Sequence, residues 1–176
     1  MILSIIAAAL VLFIGFGLYQ ASQLTQIEIT KRVTIRGAKK EVFDMVKYLN
    51  NFPKWSPFLV QDPTQKIEVK GTDGEVGAQY HWVGNKGKDI GYQEIARINE
   101  LNSISMRCDI QKPFQAKPTF EYNFTGSDGN VTVTQRFKLS SALIDAFFMW
   151  LFGVRKNMEA TNEQGLQLLK KAVEES

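Results

Sequence analysis

The chain of 176 residues contains one cysteine and one histidine. Cys108 alone excludes an intramolecular disulfide, and His81 alone excludes a Cys/His zinc site or a two-histidine metal motif, so no metal and no cofactor is expected. Charge of one sign is also scarce. The 21 basic and 18 acidic residues leave a net +3, interspersed along the chain, and no basic patch suited to nucleic acid stands out. Low-complexity linkers and internal repeats are missing, and the length leaves no room for two large domains. What remains is 44% hydrophobic and 22% charged, a composition that buries a substantial core and is expected to fold as one domain.

One long hydrophobic run is present. Ile2 to Tyr19, ILSIIAAALVLFIGFGLY, is eighteen residues with Ser4 as its single polar member and no charge. As a helix it covers about 27 Å, just enough for the hydrocarbon of a bilayer. The rival reading is a cleaved secretory signal, but a basic leading region is missing, and Tyr19-Gln20-Ala21 lacks the small residue two positions before Ala21. Residues 1–22 are therefore expected to form an uncleaved single-pass anchor for a soluble domain over 23–176. Basic residues follow the run at Lys31, Arg32, Arg36, Lys39 and Lys40, which by the positive-inside tendency points the domain to the cytoplasm. The region Lys31 to Arg36 also reads as a strand, whose solvated face explains the same charges.

From Gln26 onward Ile27, Ile29, Val33 and Ile35 alternate with Glu28, Thr30, Arg32, Thr34 and Arg36, the pattern of a half-buried strand. Val42, Phe43, Val46 and Leu49 then fall at helical spacing, and NNFPKWSP over 50–57 ends that helix with two prolines. Alternating segments follow at 67–70, 78–84, 89–99, 103–111, 117–125 and 130–139, separated by turn signals such as Ser127-Asp128-Gly129. Their short spacing predicts antiparallel hairpins. From Ala142 to Glu175 helical periodicity returns, about 50 Å long if unbroken, with Gly153 and Gly165 as places for a bend. A curved sheet gripping that last helix buries both apolar faces.

Three elements carry a resemblance. Asn51-Phe52-Pro53-Lys54-Trp55-Ser56-Pro57-Phe58, then Gly74 to Asn85 (GEVGAQYHWVGN), then Lys112-Pro113-Phe114-Gln115-Ala116 resemble, in order, elements of the polyketide cyclase/dehydrase-like branch of the START-related, or SRPBCC, superfamily. The resemblance covers about residues 26–175. It implies an α+β helix-grip (START-like) fold: a curved antiparallel sheet wrapped around a long C-terminal helix, with a cavity between them used for lipids or other apolar molecules. It implies no single reaction. Two departures stand out: Phe52 replaces a tryptophan often found before this proline, and Gln135 occupies a position where relatives often carry an aromatic. A buried amide there needs a partner or a water.

Alternation places Ala78, Tyr80 and Trp82, then Ile104, Met106, Cys108 and Ile110, then Phe120, Tyr122 and Phe124 on inward faces. These form an apolar wall, or plain core, with two phenol hydroxyls as polar handles. His81 alternates outward, which removes the usual general base, and Cys108 reads as an inert buried thiol. No catalytic constellation is evident. Strand 89–99 has two readings: Ile90, Tyr92, Ala96 and Ile98 inward bring in Glu94, whereas the resemblance, matching Gly91, Gln93 and Ile95, brings in Arg97. Either way one charge is expected to point inward, toward a ligand, a counter-ion or the cavity mouth. ALIDAFFMWLFGV over 142–154 is too short to span a bilayer and reads either as a buried helix start or as a membrane-touching cavity entrance built on Phe148, Trp150 and Phe152.

The candidate ligand contacts are therefore Trp55, Tyr80, Trp82, Glu94, Arg97, Met106, Phe120, Tyr122, Gln135, Phe147 and Trp150. Three functions are compatible with them. The first is a membrane-anchored binding domain that holds an apolar small molecule or lipid. The second is a cyclase/dehydratase-like enzyme in the same cavity, with Glu94, Arg97, Tyr80 or Tyr122 moving protons. The third is a tethered interaction domain whose cavity has collapsed around Phe120 and Trp82.

Overall fold

A computed structural model describes residues 2–176; the first residue of the expected anchor lies outside them. The apolar run forms α1 (Ile2–Ser22), and the chain then turns within three residues into β1 (Gln26–Ile35). Next come α2 (Lys39–Lys47), a 3-10 segment (Leu49–Lys54) and α3 (Pro57–Gln61), where Ser56 caps the helix and Pro57 takes the first-turn position that needs no amide donor. The strands are β2 (Lys66–Lys70), β3 (Gln79–Gly84), β4 (Asp89–Asn99), β5 (Ser103–Lys112), β6 (Thr119–Ser127) and β7 (Asn130–Ser140). They form one seven-stranded antiparallel sheet in the order β1-β7-β6-β5-β4-β3-β2. Six hairpin-spaced segments therefore close on β1, which pairs with the last strand. Asp128-Gly129 makes the two-residue turn between β6 and β7, with Gly129 at φ 84°, a conformation glycine adopts without steric cost.

The terminal helical stretch is two helices, α4 (Leu143–Leu151) and α5 (Val154–Glu174). Of the two glycines, Gly153 is the break, at φ 62°. Gly165 leaves α5 intact and faces the Pro57 ring, which a β-carbon at this position would meet in ordinary contact at 3.5 Å. Leu166, Leu169 and Val173 of α5 are buried in one cluster with Val33, Ile35 and Val131 of the sheet and Val42 and Val46 of α2. Polar ties run beside them: Lys31 Nζ lies 3.2 Å from Glu163, Lys170 Nζ donates to the Thr34 carbonyl at 3.0 Å, and the Arg36 amide donates to Glu174 at 2.8 Å.

A second cluster joins Ala21, Leu24, Ile27, Ile29, Phe137, Leu139 and Ala146, with Phe147, Met149 and Trp150 half-buried around it. Here α1 lies on α4. Phe13 and Phe16 meet the Trp150 ring at centroid distances of 5.7 and 6.0 Å, and Gly17 faces Phe147 and Trp150 so closely that any side chain there would collide with both rings. Phe147 and Trp150 therefore contact α1, not the cavity. Only Ala146 of α4 is buried, which corrects the reading of a deeply buried helix start.

Candidate functional site

Between the concave face of the sheet and α5 lies an apolar cavity of about 290 Å³. Its far wall is the 3-10 segment and α3, contributing Phe52, Trp55, Ser56, Pro57 and Phe58. Edge-to-face contacts tie that wall to the sheet: Phe52 meets Tyr80 at 4.9 Å and Trp55 at 4.7 Å, and Trp55 meets Tyr122 at 6.1 Å. Trp55 is itself fixed, its indole N–H donating to the Met45 carbonyl at 3.1 Å. Both halves of the tryptophan-serine-proline element thus shape the cavity, by ring packing and by the helix cap.

The sheet supplies Tyr80, Trp82, Gln93, Cys108, Phe120, Tyr122, Gln135 and Phe137. Trp82 lies over Gly91, its cross-strand partner, where a β-carbon would come within 2.6 Å of the Asp109 carbonyl and against the indole ring. The indole N–H donates to Asp89 at 3.0 Å, which places that carboxylate at the cavity wall. Phe120 stacks near Tyr122 and meets Phe137 edge-on, an arrangement that leaves the void open. On the other side α5 contributes Val154, Asn157, Met158, Thr161, Asn162 and Gly165.

Of the expected contacts, Trp55, Tyr80, Trp82, Phe120, Tyr122 and Gln135 come together around this cavity. Met106 is fully buried in the core behind it. Glu94 and Arg97 both point the other way, which corrects the expectation that one of them faces inward. Gly91, Gln93 and Ile95 are the buried face, so Glu94 lies outside, accepting from Gln79 at 2.8 Å and paired with Arg107 at 2.5 Å. Those two partners hold its carboxyl below the usual range. Arg97 would have followed Ile95 inward, but the register shifts between Ile95 and Arg97, leaving Ala96 as an extra residue. That bulge turns Ile98 toward the core and leaves Arg97 exposed beside Ser105. His81 also lies outside, stacked on Tyr92 and bonded to Gln79, with its pKa lowered mainly by burial.

Apart from the Asp89 carboxylate at the wall, the polar groups of the cavity are neutral. Burial pushes both tyrosine hydroxyls well above their ordinary values, for Tyr122 against the opposing hydrogen bond from Gln135 Nε2 at 3.0 Å. Both phenols stay protonated at neutral pH. Burial pushes the Cys108 thiol up to about 12, so it is a packing group, not a nucleophile. Three buried polar atoms have no protein partner: Tyr80 Oη, Gln93 Nε2 and Gln135 Oε1. Gln93 and the α5 face were not among the expected contacts. The signal for the latter was present, since Val154, Asn157, Met158, Thr161, Asn162 and Gly165 recur at three- and four-residue spacing, but four of those six are polar or glycine.

Residues 26–174 match the sequence profile of the family described as polyketide cyclase / dehydrase and lipid transport. The chain belongs to that family. Solved structures of the same fold include protein Ms6760 from Mycobacterium smegmatis, 20% identical with a TM-score of 0.54 over 82% of this chain and 88% of that one. Protein CV1439 from Chromobacterium violaceum is 12% identical, with a TM-score of 0.62 over 84% and 96% of the two chains. Ara h 8.0201 is 15% identical, with a TM-score of 0.63 over 86% and 99%. At these identities the likeness establishes the helix-grip fold. No curated protein matches the chain.

Proposed function

We propose that this polyketide cyclase / dehydrase and lipid transport family member is a membrane-anchored binding domain that holds an apolar small molecule or lipid between sheet and C-terminal helix. The observation that carries the reading is the cavity itself. A void of about 290 Å³ lined by Phe, Trp, Tyr, Pro and Met side chains is unfilled apolar surface that a ligand's burial stabilises at about 25 cal/mol per Å². An open void also favours this reading over the collapsed interaction domain. With Glu94 and Arg97 on the outer face and both tyrosines held protonated, nothing specifically favours the cyclase/dehydratase alternative.

Residues 1–22 are the anchor in this proposal and 23–176 the binding domain. Its support is that α1 spans about 31 Å, is apolar on every side, and buries only Gly17 and Ala21. The seam extends the argument to α4. Because α4 covers the second half of α1, its exposed Ile144, Phe148, Leu151 and Phe152 lie in the same leaflet, and the exposed Phe58 and Phe114 at the cavity rim continue the apolar surface. The cavity is then held beside a lipid reservoir. Basic residues beyond α1 support a cytoplasm-facing domain.

The test uses the full-length chain in lipid nanodiscs with the apolar fluorophore N-phenyl-1-naphthylamine, corrected for empty discs. Saturable uptake, lost when Cys108→Phe fills the cavity, is the expected result. Uptake that is absent, or equal in that variant and in the parent, contradicts the reading. Spin labels at positions 148 and 152 that report no lipid contact would remove the membrane-facing part alone.

A further inference from the structure

We propose that the cavity selects a neutral ligand carrying two separated polar groups, a hydrogen-bond acceptor at one end and a donor at the other. The inference rests on the binding-domain reading and adds the chemical class that the domain accepts.

Two Tyr–Gln pairs lie on the cavity face of the sheet. Tyr80 stands directly opposite Gln93 on β3 and β4, and Tyr122 directly opposite Gln135 on β6 and β7. All four side chains are more than nine-tenths buried and all line the cavity. The pairs differ in what they leave free. In the first pair the Tyr80 hydroxyl and Gln93 Nε2 each lack any partner, which leaves two donors without an acceptor. In the second pair the Gln135 amide nitrogen is spent on Tyr122 Oη, and the unpartnered atom is Gln135 Oε1, an acceptor. Buried polar atoms are normally bonded, and these three sit in one otherwise apolar chamber. A carbonyl or ether oxygen satisfies the first pair; a hydroxyl or N–H satisfies the second.

Spacing fixes the shape of such a molecule. β5 separates the pairs, and Gln93 stands opposite its Cys108 whereas Tyr122 stands opposite its Ile104, so the pairs are offset along the strands as well as across them, and a molecule that reaches both is elongated and lies diagonal to the sheet, as linked rings can. Negative charge is excluded. No lysine or arginine lines the cavity, so an anion buried there would find no counter-ion. Asp89, the single charged residue of the lining, sits four residues from Gln93 at the start of β4, where Trp82 and Gln65 hold it.

A rigid biphenyl series tests this on the full-length chain in nanodiscs, by displacement of N-phenyl-1-naphthylamine. The probes are biphenyl, 4-acetylbiphenyl, 4-hydroxybiphenyl, 4-acetyl-4′-hydroxybiphenyl and 4′-hydroxybiphenyl-4-carboxylate. The hydroxy-ketone is expected to bind roughly tenfold more tightly than either singly substituted probe, and the carboxylate at least roughly tenfold more weakly than the hydroxy-ketone at neutral pH. Gln135→Leu is expected to erase the gain from the hydroxyl and keep the gain from the ketone. Tyr80→Phe combined with Gln93→Leu is expected to do the reverse, and a single cooperative urea-unfolding transition shows that each variant is folded. Equal affinity for all probes, or tightest binding of the carboxylate, overturns the proposal while leaving the binding domain standing. If neither the fluorophore nor any biphenyl binds, the proposed function itself fails and this inference falls with it.

Discussion

On the outer face of β4 the Glu94 carboxylate accepts from Gln79 and Arg107, while one residue earlier, on the inner face, Gln93 Nε2 has no partner. The same contrast runs across the sheet. Outside, Glu28 meets Arg136 and Lys138, and Thr34 meets Thr132; inside, the polar atoms of Tyr80, Gln93 and Gln135 stop at a void. The outer face satisfies its own polar groups, as a wall must. An inner face that leaves two donors and an acceptor without a protein partner is what the proposed binding function requires.

Moving one charge by one residue should break this contrast most sharply. Gln93→Glu places a carboxylate where no cation lines the wall, and is expected to destabilise the protein by about 3 kcal/mol at neutral pH in urea unfolding. Its folded pKa would be raised above the unfolded value. The penalty is therefore full above that raised folded value, shrinks as the pH falls toward about 4, and is absent below it. A variant as stable as the parent would mean that the inner face is solvated. Gly91→Val drives a side chain into the Trp82 ring and the Asp109 carbonyl, and a loss of about 1–3 kcal/mol is expected, together with loss of fluorophore binding as Trp82 is displaced into the cavity.

The smaller effects sharpen the comparison by their sign. Gln93→Leu removes a buried unpaired amide and is expected to stabilise the ligand-free protein by about 1 kcal/mol. Glu94→Gln, at the neighbouring position, is expected to destabilise it by under about 1 kcal/mol, because Arg107 is largely exposed. The Glu94 carboxyl is lowered in the folded state, so its contribution is full above about pH 4 and lost as the pH falls through the folded value. Glu94→Gln should accordingly flatten the acid limb of the stability curve, measured as the urea midpoint against pH. Opposite signs at residues 93 and 94 are what the two faces require.

Strand positions, hairpins and the helix grip were legible because alternation and turn residues state them locally. Half-hidden features were those in which one residue changes the phase or serves a distant partner. The two readings of β4 each brought a charge inward because both assumed unbroken alternation; the Ala96 bulge removes that necessity by holding Gly91, Gln93 and Ile95 inward and then resetting the pattern for Ile98. Phe147 and Trp150 were readable as apolar, but their partner, the Gly17 face of α1, is far away in sequence. Trp55, Tyr80 and Tyr122 were legible as cavity contacts because strand alternation and the tryptophan-serine-proline element place them independently. The polar half of the α5 stripe was not, since periodicity searched through apolar residues passes over Asn157, Thr161 and Asn162.

The central claim is that the chamber between sheet and α5 is a ligand site, and native mass spectrometry of the full-length protein released from its membrane addresses it most directly. The account predicts a defined additional mass, neutral and small enough for a cavity of about 290 Å³, that leaves on collisional activation and is missing from Cys108→Phe. A full-length protein that is folded, empty and unable to take up an apolar fluorophore would contradict it.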